Sequence, residues 1–362
     1  MGGSLWSAGM GAMVAYFMFI FMNGNPTQHV DKLFKMMSQG MAGKESVAAF
    51  DKVYTSVDGN TQHNAYDGDV ARSFYNLATE FYEYGWGDSF HFGVRTRSEP
   101  HSKCIANSQN FVATKLRVGN FDKVLDMGCG IGGPLRGVVR ATGANVTGLS
   151  INEHQIMRGK EITAGLSPWM QERCHFMVQD YLAVKGLEEN SYDAAFYMES
   201  SLHCEDRTKT FKEAFRLLKP GGRLVAMEYY LLPGWEPNNP EHKELMRRHL
   251  YGNGAAKTPT IEDGLKQITD AGLAELEKVF GVDAWPWWAD LQFNWAPDLL
   301  PAHPWIRTPL PHLLRVLSKI GLVPPDVPAA AELMNEGGDG LSGLGKVGAI
   351  TPQYYVGAIK PL

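Results

Sequence analysis

A glycine-rich turn lies between two patterned segments near the middle of the chain. Residues 126–133 read DMGCGIGG; they end the short apolar run 123–127 and precede 134–140, where apolar residues recur at helical spacing. Backbone without side chains approaches a ligand closely, and the first N–H groups of a helix point away from its start. The turn therefore indicates a cofactor site.

The identity of that cofactor depends on the residues around the turn. Gly128, Gly130 and Gly133 satisfy the G-x-G-x-x-G pattern loosely, which leaves a dinucleotide open. A pyridine-nucleotide site also needs an acidic residue at the end of the second strand, where this chain has Ser150. Asp126, two residues before the first glycine, instead makes the turn resemble the first motif of class I S-adenosylmethionine-dependent methyltransferases. That resemblance implies S-adenosyl-L-methionine as the cofactor.

An aromatic block precedes the turn. Residues 81–93 read FYEYGWGDSFHFG, which places six aromatic rings and one histidine in thirteen positions. A single-faced helix or strand cannot bury them all. Together with the glycine turn, the block closely resembles sterol C-24 methyltransferases. The resemblance continues through 147–155, 236–243, 252–254, 286–288 and 351–355, and so covers roughly residues 70–362 in order.

One segment departs from that family. Sterol methyltransferases commonly read Glu-Ala-Thr-Cys-His-Ala-Pro after the fourth strand, whereas residues 199–205 read ESSLHCE. Glu199 and His203 keep the acidic and histidine positions, and Glu205 replaces a small apolar stretch. Triterpene methyltransferases that act on squalene-like hydrocarbons share most of the pattern. They remain an alternative.

The resemblance implies methylation of a sterol side-chain alkene through a carbocation, which is finally deprotonated. Aromatic faces suit this chemistry because each contributes roughly 0.5 to 2 kcal/mol to a nearby cation without trapping it. The predicted substrate residues are Tyr82, Tyr84, Trp86, Phe90 and Phe92. The candidate catalytic residues, as acceptors of the final proton, are His91, Glu199 and His203.

The resemblance also assigns residues to the cofactor. Asp126 would fix the turn or the cofactor's ammonium group, Asn152 and Gln155 would replace the missing ribose carboxylate, and Asp180 would accept from the adenine amine. The full set of predicted cofactor residues is Ser89, Asp126, Gly128, Cys129, Gly130, Asn152, Gln155, Asp180 and Tyr181. No metal site is predicted.

Alternating apolar runs and helical patterns predict how these residues are positioned. Short runs at 123–127, 145–150, 174–178, 192–198 and 223–231 alternate with helical segments at 134–140, 153–164 and 208–218. This order predicts an α/β fold with a parallel sheet. The resemblance implies the Rossmann-like class I methyltransferase form of this fold, with a seven-stranded sheet, a helical N-terminal cap and a C-terminal insertion over the substrate site. The last strand is predicted at 353–359, and the glycine-rich 337–348 as a mobile loop.

The predicted organisation has four parts. Residues 1–30 form a membrane anchor segment, 31–110 a cap carrying the aromatic block, 111–283 the cofactor-binding catalytic domain, and 284–362 the C-terminal region. Residues 5–22 are all apolar or small, and eighteen helical residues span about 27 Å, close to a bilayer core of roughly 30 Å. Lys32, Lys35 and Lys44 follow this segment, which predicts a cytosolic catalytic domain at the endoplasmic reticulum membrane. A buried or interfacial helix is the alternative.

Composition excludes several function classes. The 34 Lys and Arg against 39 Asp and Glu give a net charge of −5, and no basic cluster occurs, which argues against nucleic acid as a partner. The four cysteines form no Cys-x-x-Cys pair, so neither a disulfide framework nor a zinc site is predicted. A small-molecule N-, O- or C-methyltransferase, a nucleotide-dependent oxidoreductase and a catalytically silent lipid-binding protein remain open. The oligomeric state is not fixed by the sequence.

Overall fold

The computed structural model describes residues 47–55, 67–94, 99–280, 286–289 and 304–362. The predicted anchor at 1–30 lies outside these ranges. None of the helices within them is long and apolar enough to cross a bilayer.

A seven-stranded sheet forms the centre of the described chain. Its order is β3-β2-β1-β4-β5-β7-β6, with β1 to β5 parallel and β7 antiparallel to both β5 and β6. The predicted seven-stranded α/β fold is confirmed, and residues 353–359 lie in the last strand. The strands are β1 Lys123–Met127, β2 Asn145–Ser150, β3 Cys174–Val178, β4 Tyr192–Met198, β5 Leu218–Leu231, β6 Ala274–Phe280 and β7 Ile350–Ile359.

Helices cover both faces of this sheet. Alternate residues of β4 enter different cores: Phe196 joins one cluster, and Tyr197 joins the cluster on the opposite face. This is the two-residue period of a strand buried on both sides. The helices are α1 Val47–Thr55, α2 Asp67–Gly85, α3 His101–Leu116, α4 Gly133–Thr142, α5 Glu153–Ala164, α6 Pro168–Gln171, α7 Thr208–Leu217, α8 Pro240–Gly252, α9 Ile261–Asp270, α10 Pro304–Arg307, α11 Leu310–Lys319 and α12 Val327–Lys346.

A separate helical layer combines the N-terminal and C-terminal parts of the described chain. Phe50 of α1 and Phe74 of α2 are buried in one apolar cluster with Leu314 of α11 and Val327 of α12. Tyr75 of α2 hydrogen-bonds His203, in the 3-10 turn Ser201–His203 that follows β4. The layer therefore lies beside the carboxyl end of β4.

The prediction of a mobile loop at 337–348 is wrong, because most of these residues belong to α12. Their glycines allow a close approach to α8. A Cβ at Gly337 would overlap the Gly252 carbonyl oxygen, and one at Gly340 would overlap the His249 backbone nitrogen. The low helix propensity of glycine, about 1 kcal/mol per residue, is offset here by contact between the two helix backbones.

Candidate active site

A strand-end cavity opens at the carboxyl ends of the parallel strands, where open α/β sheets bind their ligands. Its space, including the open mouth, is about 770 Å³, within the range of small-molecule sites. Loops after four neighbouring strands line it. They contribute Gly128 to Ile131 after β1, Ser150 and Ile151 after β2, Asp180 to Leu182 after β3, and Met198 to Ser200 at the end of β4.

The glycine turn makes one wall of this cavity from backbone alone. Gly128 has φ +121° and Gly130 φ +52°, conformations that favour glycine. A Cβ on Gly128 would overlap the Ser200 side chain, whereas one on Gly130 would only touch Phe90, 3.5 Å away. Gly128 is therefore required by both conformation and space, and Gly130 by conformation.

Two buried carboxylate oxygens beside the cavity have no hydrogen-bond partner within the described chain. They are Oδ2 of Asp180, which lines the cavity, and Oδ2 of Asp126, which does not line it but lies two residues before the lining Gly128. Burial raises the pKa of both carboxyl groups, and the backbone N–H of Leu182 donates to the other oxygen of Asp180 at 2.8 Å. Buried polar atoms are normally paired. A ligand with N–H donors, such as the ammonium and adenine amine of S-adenosylmethionine, fits these acceptors.

The end of β2 places Gln155 at the cavity but turns Asn152 away from it. Ser150 Oγ donates to Gln155 Oε1 at 2.8 Å, and both residues line the cavity. Asn152 Oδ1 caps α5 by accepting from the Gln155 backbone N–H at 3.0 Å, while its Nδ2 donates to Asn76 of α2 at 2.8 Å. Asn152 thus positions Gln155, and the direct ribose contact predicted for it is not what this geometry provides.

Ser89, another predicted cofactor residue, does not line the strand-end cavity, whereas its neighbour Asp88 does. Ser89 Oγ donates to Asp88 Oδ1 at 3.0 Å and accepts from Gln109 at 3.0 Å. The buried Arg136 of α4 donates to Asp88 Oδ2 at 2.8 Å and to the Ile131 carbonyl at 2.8 Å. This network fixes the aromatic block to the glycine turn.

Cys129 and Tyr181, two of the predicted cofactor residues, line the strand-end cavity. Burial raises the pKa of the Cys129 thiol, which stays protonated at neutral pH. Tyr181 donates its hydroxyl to the Ser200 carbonyl at 2.9 Å. The two side chains therefore present an uncharged surface to a ligand.

An aromatic cavity of about 990 Å³, including its mouth, adjoins the strand-end cavity. Helices α2, α11 and α12 contribute much of its wall, together with Tyr229 of β5. All five predicted substrate residues line it: Tyr82, Tyr84, Trp86, Phe90 and Phe92.

Hydrogen bonds and edge contacts hold the rings in place. Trp86 Nε1 donates to the His91 carbonyl at 2.8 Å, and its ring meets Phe92 edge-on with centroids 5.0 Å apart. Tyr82 donates to Asn253 Oδ1 at 3.2 Å, and its ring centroid lies 5.2 Å from that of Phe90. These contacts fix the positions of the rings, which remain part of the cavity wall.

Three residues line both cavities: Phe90, His91 and Glu199. Glu199 follows β4 directly and has φ +52°, a left-handed conformation that costs a non-glycine residue roughly 1–2 kcal/mol. Its Oε1 accepts from the Phe92 backbone N–H at 2.7 Å. Burial raises the pKa of this carboxyl group well above its usual range. The strained backbone thus places a buried carboxyl group at the junction.

Both candidate histidines are neutral, because burial lowers the pKa of each to about 4. His91 Nδ1 lies 2.9 Å from the Phe92 carbonyl, to which it donates, and Nε2 accepts from Gln109 at 3.2 Å. His203 Nδ1 donates to the Gly254 carbonyl at 2.8 Å, so its Nε2 accepts from the Tyr75 hydroxyl at 2.9 Å. His203 lines only the strand-end cavity.

Sequence reasoning missed several lining residues. Gly68, Ala71 and Tyr75 of α2 line the strand-end cavity at spacings of three and four, which is one face of a helix. This helical periodicity, in the residues before the aromatic block, was the sequence signal that could have identified these three residues. Tyr229 and Arg307 carry no comparable local signal, since distant segments bring them to the aromatic cavity.

Known proteins resemble this chain in both sequence and fold. Residues 125–226 match the model of a methyltransferase domain family. The chain is 33% identical to cycloartenol-C-24-methyltransferase 1 of Oryza sativa over 90% of its length and 97% of that protein. It is 32% identical to a sterol 24-C-methyltransferase of Aspergillus fumigatus over 81% of its length and 80% of that protein.

Solved structures share the fold at lower sequence identity. Geranyl diphosphate methyltransferase in complex with GPP and sinefungin has a TM-score of 0.56 and 18% identity, covering 82% of this chain and 100% of the other. The cyclopropane synthase MmaA2 from Mycobacterium tuberculosis has a TM-score of 0.57 and 16% identity, covering 81% and 96%. The identity to plant and fungal enzymes over most of both chains, joined to this fold and these two cavities, shows that the chain belongs to the sterol 24-C-methyltransferase family.

Proposed function

We propose that the protein transfers a methyl group from S-adenosylmethionine to C-24 of a sterol side-chain alkene. The observation that carries this proposal is the junction of the two cavities at Phe90, His91 and Glu199. One cavity is built from strand ends and backbone, and the other from aromatic side chains. A methyl donor in the first and an apolar alkene in the second would meet at these residues.

Residues of the strand-end cavity would hold the cofactor, which supplies an electrophilic sulfonium methyl group when bound. Gly128 and Gly130 give the close backbone approach, and Asp126 provides a buried acceptor at the end of the same strand. Gln155 offers its amide to the ribose, held by Ser150. Asp180 Oδ2, which has no partner among the described residues, would accept from the adenine amine.

Residues of the aromatic cavity would stabilise the positive charge that methyl transfer leaves on the sterol side chain. Ring faces attract a cation, and they contain no lone pair that captures it. Trp86 and Tyr82 are fixed by hydrogen bonds to the His91 carbonyl and to Asn253 Oδ1. A wall of apolar rings would also keep solvent from quenching the cation.

Glu199 is the proposed acceptor of the final proton. It lines both cavities, whereas both ring nitrogens of His91 are already hydrogen-bonded. A positive charge in either cavity favours the carboxylate form of a neighbouring acid. The proton would then pass from the carbon next to the cation to Glu199, and the C–H electrons would form the new alkene. His203, whose Nε2 accepts a hydrogen bond from Tyr75, would instead orient the wall of the strand-end cavity.

A sterol panel tests the proposed reaction. Purified protein is incubated with methyl-labelled S-adenosylmethionine and cycloartenol, a saturated side-chain analogue of cycloartenol, or squalene. Label is expected in cycloartenol only, since the saturated analogue lacks the nucleophilic alkene. Label in squalene at an equal rate would favour a triterpene hydrocarbon methyltransferase. No label in any lipid, with cofactor binding intact, would refute the proposed function.

Membrane association is part of the same proposal. The apolar segment 5–22 is proposed to anchor the protein, with its catalytic part on the cytosolic side of the endoplasmic reticulum membrane. Exposed apolar side chains near the end of α11, Val316, Ile320 and Leu322, offer a second lipid contact. Leu310 of the same helix lines the aromatic cavity, so this surface lies on an element of the substrate site.

Truncation tests the anchor. Deleting Met1 to Asn25 should release the protein from sedimented membranes and lower turnover on sterol in bilayers, while turnover on detergent-solubilised sterol is retained. A truncated protein that still sediments would contradict the anchor. Ile320→Glu in the truncated background then tests whether the α11 surface holds it there.

A further inference from the structure

We propose that Arg307 binds the oxygen at the ring end of the sterol and so selects oxygenated sterols against hydrocarbons. This inference rests on the proposed function and names the substrate group that the aromatic cavity recognises. Arg307 is the last residue of α10 and lines that cavity with Leu310, Met334 and Gly338. It does not line the strand-end cavity.

Arg307 is a charged side chain in a largely apolar wall. Only 9% of the residue is exposed. A buried guanidinium needs hydrogen bonds on its several N–H groups, because each unmet one carries a desolvation cost. The wall residues around it from α11 and α12 include Ala331 and Leu341, which cannot accept a hydrogen bond through their side chains. The partners of Arg307 therefore decide what it can still bind.

The partners of Arg307 occupy three of its five N–H groups. Nη1 donates to Asn335, to Oδ1 at 3.2 Å and to the carbonyl at 3.4 Å, and Nη2 donates once, to Asp339 Oδ1. Nε is buried and has no partner within the described residues. Among the described residues that line the aromatic cavity, it is the single fully buried side-chain polar atom left without a partner. The N–H of Nε and the second N–H of Nη2 thus remain as donors.

The charges around Arg307 favour a neutral acceptor. Asp339 is shared, since Arg248 Nη2 also donates to it, through Oδ2 at 2.9 Å. Two guanidinium groups therefore share one carboxylate, and the cluster retains positive character. A phosphate binds best through several charge-assisted donors at once. The two N–H groups that remain on Arg307 instead match the one oxygen of a hydroxyl or carbonyl group, whose two lone pairs can accept from both.

The location of Arg307 agrees with the shape of a sterol. The reacting alkene must reach Phe90, His91 and Glu199, which line both cavities. A sterol carries its hydroxyl group on the ring system, at the end remote from the side chain. Arg307 belongs to the wall that α10, α11 and α12 give to the aromatic cavity, and none of the described residues of these three helices lines the strand-end cavity. A sterol with its side chain at the junction would extend its ring oxygen towards this wall.

A set of ring analogues tests the inference on the wild-type protein. Because arginine only donates hydrogen bonds, the sterol oxygen must act as acceptor. The 3-hydroxy and 3-keto forms of the same sterol should therefore have similar kcat/KM, and the 3-deoxy form a value lower by about tenfold or more. Equal kcat/KM for all three, with normal methylation, would overturn the inference. Failure to methylate any of them would instead refute the proposed function.

Arg307→Met assigns the effect to this residue, because it keeps an unbranched apolar stem and removes the donor. The ratio of kcat/KM between the 3-hydroxy and 3-deoxy sterols should fall from about tenfold to about one, chiefly through KM. The matched control is Arg315→Met on α11, which loses an ion pair to Glu332 but does not line the cavity; its ratio should stay at the wild-type value. An unchanged ratio in Arg307→Met would overturn the assignment, and thermal unfolding checks that both variants are folded.

Discussion

The two cavities are built in different ways. The strand-end cavity takes its wall from short loops after β1 to β4, and a Cβ added at Gly128 would overlap Ser200 there. The aromatic cavity takes its wall from side chains on helices and on an extended segment that come from distant parts of the chain. The backbone wall at Gly128 has no room for an added atom, whereas a side-chain wall can change its rings and remain a cavity. We therefore expect the strand-end cavity to bind one ligand without variation. In the aromatic cavity, we expect substitutions to change which substrate is selected.

The largest expected effect is at the backbone wall. Gly128→Ala should reduce S-adenosylmethionine affinity by at least about 100-fold, because the added Cβ overlaps Ser200 and its φ of +121° is unfavourable for alanine. Isothermal titration measures the affinity. Gly186→Ala is the control, since it has φ +73° with open space around it and does not line the cavity. Unchanged affinity in Gly128→Ala would contradict a backbone-defined wall.

The second effect concerns the helices that support the aromatic cavity. Gly340→Ala should lower the free energy of unfolding by roughly 1–3 kcal/mol, because its Cβ would overlap the His249 backbone where α12 meets α8. Gly338→Ala is the matched control. Its Cβ would lie 3.6 Å from Arg307, and the gain in helix propensity should raise stability by up to about 1 kcal/mol. Denaturant unfolding measures both, and equal stabilities would show that the α8–α12 contact does not need glycine.

The third effect tests whether the ring wall acts electrostatically. Trp86→Leu should lower kcat about tenfold, which corresponds to about 1.4 kcal/mol of lost cation stabilisation, with little change in the Kd of the neutral sterol. Trp86→Phe keeps a ring but loses the hydrogen bond to the His91 carbonyl. It should retain more activity than the leucine variant. Weaker sterol binding with unchanged kcat in both variants would mean that Trp86 is only packing surface.

The smallest effect is a pH dependence at the backbone wall. Burial raises the pKa of Asp126 in the folded protein, so above about pH 4 the unfolded chain loses a proton that the folded chain keeps. Stability should therefore fall as pH rises, by up to about 1.4 kcal/mol per pH unit, until the folded pKa is reached. Asp126→Asn should make this slope shallower, while Glu199 and Asp180, whose pKa burial also raises, keep their own contributions. Unfolding free energies of both proteins without cofactor, measured between pH 4 and pH 8, would contradict the prediction if the slopes are equal.

Local patterns in the sequence predicted the glycine turn of the strand-end cavity better than the helices around the aromatic cavity. The strand that ends near Asp126 and the turn that begins at Gly128 are contiguous, so a local pattern was enough to predict both elements. A local pattern did not show that the side chain of Asn152 caps α5, because the cap depends on where that helix begins. The glycines of α12 were read as a loop because their reason, contact with α8, involves residues about ninety positions earlier. Arg307 likewise reaches the aromatic cavity only through packing between segments that are distant in the sequence.

The position of β7 has a consequence for how the chain folds during synthesis. This strand lies between β5 and β6, although the ribosome makes it after both and after α12. β6 pairs with β7 and so joins the sheet only when Ile350–Ile359 has been translated. The five parallel strands are made first and can assemble earlier. Until β7 arrives, the edge of β5 exposes unpaired N–H and C=O groups, which makes this interval the one in which the nascent chain most needs protection from aggregation.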